Sequence, residues 1–145
     1  MRYASVFLTI VFCATLVGCT SETKNKLEGT WRLVSGTSKT ADTTREYSQM
    51  HYRGIKMIYE NHFALVGRYI RDGDTLDNYG GGSYVIEGNN YTETVNYHKY
   101  GPWIGETIPF EVEVRNDTLI QKGPRKIGKY QDTKWELREV YERMK

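Results

Sequence analysis

Residues 106–115 read ETIPFEVEVR, with apolar residues at every second position: Ile108, Phe110, Val112 and Val114 point one way, and Glu111 and Glu113 the other. A period of two is what a pleated strand imposes when one face is buried and the other is wet. The same alternation recurs along much of the chain. It is broken at short intervals by turn residues such as Glu60-Asn61, Gly88-Asn89-Asn90 and Asn116-Asp117. That combination is the pattern of an antiparallel all-β domain.

Seven strands follow directly: residues 27–35, 53–59, 62–70, 81–87, 91–97, 106–115 and 118–122. The triplet Gly80-Gly81-Gly82, which lacks Cβ atoms, allows a sharp bend or a close backbone approach at the fourth strand. Residues 36–52 form a polar stretch expected to be mobile or to cover a barrel mouth. Residues 72–78, DGDTLDN, read as a loop, as do residues 98–105, HKYGPWIG, in which Trp103 looks exposed.

Two periods compete at the C-terminus. Leu137, Val140, Tyr141 and Met144 sit at helical spacing, whereas Trp135, Leu137, Glu139 and Tyr141 alternate as a strand. A strand is preferred, because an eighth strand can pair with the first and remove both sheet edges.

The N-terminus has a different character. One positive charge at Arg2 is followed by a short, almost uninterrupted apolar run to Gly18 and then by the polar SETKNK. The run is shorter than the roughly 18 to 20 residues a membrane-spanning helix needs, and it fits a secretory signal. Leu16-Val17-Gly18-Cys19 resembles the lipobox of bacterial lipoproteins, which implies cleavage before Cys19 and a diacylglycerol on its sulfur. Acyl chains on one cysteine hold a protein at a membrane, each buried methylene adding about 0.8 kcal/mol. The expected organisation is a signal peptide over residues 1–18, a lipidated cysteine and polar tether over 19–26, and one barrel domain over 27–145. The expected location is the bacterial cell envelope, on a membrane and facing the periplasm.

Removing 18 of the 145 residues leaves 127, the size of a single domain with one core. The chain has two cysteines. Cys13 lies in the removed segment and Cys19 is acylated, so no disulfide, thiolate metal site or cysteine nucleophile is expected. With 20 basic and 18 acidic residues and no basic block, nucleic acid is excluded as a partner. His51, His62 and His98 are scattered without metal-ligand spacing. There is no nucleophile elbow and no phosphate-binding glycine loop. No cofactor or metal is expected.

Leu27-Glu28-Gly29-Thr30-Trp31-Arg32-Leu33 resembles the glycine-x-tryptophan opening of the lipocalin-like superfamily. GGGSYVIEGNNYTE and WELREVYER resemble parts of small lipocalin-like lipoproteins of bacterial envelopes. The likeness covers nearly all of the mature chain. It implies an eight-stranded antiparallel up-and-down barrel in which Trp31 plugs the closed end beneath an arginine of the last strand, Arg143 or else Arg138. The chain is short and lacks the further motifs and disulfides of longer lipocalins, so transport of small apolar ligands does not carry over.

Alternation of Tyr91, Glu93, Val95 and Tyr97 places a carboxylate on an aromatic face. Thr92, Thr94 and Asn96 face water. Glu139 falls likewise between Leu137 and Tyr141. A carboxylate inside a barrel is costly unless it is paired or hydrogen-bonded, and the plainest account is an Arg or Tyr partner for each. The alternative reading is a binding surface of Glu93 with Tyr84, Tyr91 and Tyr97, ringed by phenol donors, for a small, partly polar ligand. Two other classes compete: an envelope protein-interaction or inhibitor module using residues 36–52 and 98–105, and a hydrolase using two facing carboxylates. A large cavity lined by tyrosines favours the binding module, a side-chain-filled barrel with an exposed aromatic patch at Trp103 the interaction module, and two facing carboxylates in an open cleft the hydrolase.

Overall fold

A computed structural model describes residues 26–40, 42–124 and 136–145. The signal segment, Cys19 and most of the tether lie outside the described residues, as does Trp135. Nine strands run in chain order: β1 Gly29–Lys39, β2 Thr44–Glu46, β3 Arg53–Tyr59, β4 His62–Arg71, β5 Asp74–Glu87, β6 Asn90–His98, β7 Thr107–Arg115, β8 Thr118–Pro124 and β9 Glu136–Arg143. Each long strand pairs antiparallel with the next, and β9 pairs back onto β1. Eight long strands therefore close an antiparallel up-and-down barrel, with β2 as a short addition to the end of β1. The C-terminal segment is a strand, and it closes the ring from Trp31↔Arg143 to Lys39↔Glu136.

Tight turns lie at one end of the barrel. Glu60, Gly88 and Asn116 adopt positive φ there, at 52°, 61° and 53°, which lets each strand reverse within two residues. Trp31 fills this end, fully out of contact with water, and its Nε1 donates to Leu27 O at 2.7 Å. The Arg143 guanidinium carbon lies 4.1 Å from the Trp31 ring centre, and its two terminal nitrogens donate to Glu28 O at 2.6 Å and Lys26 O at 2.5 Å. Ile58, Phe63, Tyr84, Tyr91, Phe110, Val112 and Leu119 stack above it as a core that occupies the closed half of the barrel.

Two expectations are corrected at the other end. Residues 72–78 are not a loop: Asp72-Gly73 is a tight turn and β5 begins at Asp74, pairing with β4 from Arg71↔Asp74 onward. The polar stretch after residue 35 is not a simple cover, since β1 runs on to Lys39 and β2 folds back on it through Thr37↔Glu46. Tyr47, just after β2, is buried against Gly36, where a Cβ would come within 2.3 Å of its ring. Polar composition concealed β2 and the start of β5 because no residue of Thr44–Glu46 or of 74–78 is buried.

A bulge decides which side chains enter the barrel. Gly81 pairs with Tyr97 but Gly82 pairs with Val95, so Asn96 is an extra residue in β6. Strand alternation is reset at that point. Val95 remains buried, Tyr97 turns outward at 74% exposure, and His98 turns inward. The glycine is required: a Cβ on Gly82 would meet Thr94 O at 1.9 Å.

Candidate functional site

The open half of the barrel is hollow. A cavity of about 320 Å³ extends from the mouth down to the aromatic core. That volume sits at the lower end of the range of small-molecule sites, about 300–1,000 Å³.

The floor is a buried charge pair. Lys56 on β3 and Glu93 on β6 are only 2% and 4% exposed, and Lys56 Nζ donates to Glu93 Oε1 at 2.5 Å and to Gln121 Oε1 on β8 at 2.6 Å. The ammonium also faces the rings of Tyr91, Phe63 and Phe110, at 5.2, 5.5 and 5.7 Å from their centres. An isolated charge here would be strongly disfavoured. The carboxylate, the amide oxygen and the negative ring faces together satisfy the ammonium.

The wall carries a second carboxylate. Glu139 on β9 accepts from Tyr47 Oη at 3.1 Å through Oε1 and from Tyr141 Oη at 2.7 Å through Oε2. Burial pushes the Glu139 pKa up against the opposing effects of Lys56 and the two phenols. Burial first, and then the Glu139 charge, pushes the Tyr141 phenol well above its ordinary value. Tyr52 meets Tyr47 and Tyr69 edge-on, at 5.0 and 5.9 Å between ring centres, and its hydroxyl accepts from Asn78 Nδ2 at 2.9 Å. At the mouth, His98 and Trp103 stack at 4.9 Å with their rings 15° apart, and exposed Arg45 and Arg71 complete the rim. Trp103 is thus turned into the mouth and partly buried, not displayed on a free loop.

Of the four side chains expected to bind ligand, Glu93 alone lines the cavity. Tyr84 and Tyr91 lie beneath its floor, packed 4.9 Å apart. The Tyr84 hydroxyl reaches the closed end and donates to Glu60 O at 2.6 Å. Burial, followed by the Glu28 charge, pushes its pKa up to about 12. The Tyr91 hydroxyl is buried without a well-aligned hydrogen-bond partner among the described residues, and burial, then the neighbouring Glu93 charge, raises its pKa well above the usual phenol value. Tyr97 lies outside because of the bulge. The ring of phenols expected around Glu93 is replaced by Lys56.

Sequence reasoning missed Lys56 because β3 reads RGIKMIY. Both of its faces carry apolar residues: Gly54, Lys56 and Ile58 on one, and Ile55, Met57 and Tyr59 on the other. Gln121 shares a face with buried Leu119, a signal that alternation could have supplied.

The strand order and closure define an eight-stranded antiparallel up-and-down barrel with an open cavity. No protein-family model matches the chain, and no curated protein does. Among solved structures, it is similar to a lipocalin-like protein from Bacteroides uniformis ATCC 8492, at 17% identity and a TM-score of 0.47, over 82% of this chain and 99% of that one.

Proposed function

We propose that this chain is a lipid-anchored binding module of the bacterial envelope whose barrel takes a small, partly polar ligand. The observation that carries the reading is the 320 Å³ cavity, which has apolar walls at Leu65, Ile108 and Leu137 and polar groups at Lys56, Glu93, Gln121 and Glu139. Apolar walls with a few fixed polar groups suit a ligand with an apolar body and a polar end. Leu16-Val17-Gly18-Cys19 supports an anchor at Cys19, on a membrane and facing the periplasm. Binding is favoured over hydrolysis because Glu93 is committed to Lys56, which leaves no pair of unengaged facing carboxylates among the described residues. The interaction-module reading is weakened by the stacking of Trp103 on His98.

Native mass spectra of the protein isolated from its own cells test this. A bound small molecule is expected in the wild type. It is expected to be lost in Leu65→Trp, which fills the cavity from its wall while the fold is retained. Wild-type spectra free of any adduct, together with unchanged stability of Leu65→Trp, would overturn the reading.

A further inference from the structure

We infer that the cavity's ligand carries a protonated amine that pairs with Glu139. This rests on the reading of the barrel as a binding module and specifies the chemistry of its ligand.

The cavity contains one cation deep inside and two carboxylates, and they are not equivalently matched. Lys56 is engaged by Glu93 and Gln121, with the aromatic rings around it. Among the described residues Glu139 has no cation within 4 Å; its partners are two neutral phenols. Both phenols can donate, one to each oxygen, and that arrangement suits an ionised carboxylate: a protonated acid would use one oxygen as a donor and force one phenol to accept. The hydrogen bonds are therefore laid out for an anion that has no counterion among the described residues.

Among the described residues the surroundings supply no substitute. Across the ladder Glu139 faces Gln121 on β8 and Gly36 on β1, neither of which is charged. Lys56 and Glu93 act on it from the floor with opposite signs. Arg45 and Arg71 also line the cavity, but as exposed side chains at the rim, where water screens them. Burial accordingly raises the Glu139 pKa. An ammonium arriving beside it would restore the pair.

Three probes with one ring and different end groups separate the alternatives: tyramine, 4-ethylphenol and 3-(4-hydroxyphenyl)propionate. Isothermal titration of the purified protein at neutral pH is expected to give tyramine an affinity about tenfold or more above that of 4-ethylphenol, the effect of one charged hydrogen bond. The propionate is expected to bind weakest. Glu139→Gln keeps a group that can engage both phenols, and it is expected to abolish the tyramine preference over 4-ethylphenol. Equal affinities for tyramine and 4-ethylphenol, or tightest binding by the propionate, would overturn the amine site and leave the binding module standing. No binding by any of the three would overturn both.

Discussion

Lys56 Nζ stands 2.5 Å from Glu93 Oε1 with both side chains almost wholly out of water, and each depends on the other. Removing one partner leaves an uncompensated charge in the barrel. Lys56→Met is therefore expected to lower stability by about 3–5 kcal/mol. The double variant Lys56→Met/Glu93→Leu removes both charges and should recover most of that loss, since apolar replacement of a buried pair is often neutral or stabilising. Urea denaturation of the two single variants and the double variant measures the coupling. Additive losses would mean the pair is not coupled.

At the closed end, Trp31→Ala is expected to cost about 3–5 kcal/mol through the cavity it leaves. Arg143→Ala should cost less on the cation–ring contact alone, about 0.5–2 kcal/mol, with a further loss from the carbonyls of Lys26 and Glu28 that it now satisfies. Denaturant midpoints indistinguishable from wild type for Trp31→Ala would remove its role as the plug.

The pH response at the Glu139 wall has a definite sign. Its folded pKa is raised by burial, so the folded state holds the proton more tightly than the unfolded one. The stabilisation this provides is complete below the ordinary carboxyl pKa and is lost as pH rises through the folded value. Glu139→Gln should therefore gain stability over wild type as pH rises through the folded pKa, with the pH-dependent advantage gone below pH 4.5. Thermal melts of both proteins across the acidic and neutral range would show it. A gap that widens toward acid would contradict the raised pKa.

The phenols act in the alkaline range. Tyr84, Tyr91 and Tyr141 all have raised pKa values, that of Tyr84 reaching about 12. Their contribution is complete below the ordinary phenol value of 10 and disappears as pH climbs through the folded values. Phenolate absorbance should include a late alkaline phase, in which the buried phenols ionise as the fold is lost. A single phase near pH 10 with the barrel intact would refute this.

Gly82→Ala tests the bulge. The new Cβ would strike Thr94 O and Asn96 N, both backbone atoms that cannot rotate away, so a cost of about 1–3 kcal/mol is expected. The His98–Trp103 stack should loosen with it, which near-ultraviolet circular dichroism would report. At the N-terminus, Cys19→Ser is expected to abolish incorporation of labelled palmitate; label still entering that variant would overturn the proposed anchor.

The sequence by itself determined the architecture. The turn pairs Glu60-Asn61, Gly88-Asn89 and Asn116-Asp117 reverse the chain where they were read, because a positive-φ position is a local requirement that a few residue types meet. The alternation of Ile108, Phe110 and Val112 faces inward as written, because a uniform period of two is also local. What lines the cavity was decided only by the closed barrel. A strand with apolar residues on both faces, such as β3, reveals its inner side only when its neighbours take their register, and the register turned Lys56 inward. One extra residue at Asn96 moved Tyr97 outside and His98 inside, a reversal that Gly82 permits because it has no Cβ to strike Thr94 O on the paired strand. Glu139 was legible as an inward carboxylate, but which tyrosines would meet it, and that no cation among the described residues would, were not. Ion pairing depends on which side chains converge across the barrel, and Tyr47 and Glu139, 92 positions apart in the chain, are brought together only by its closure.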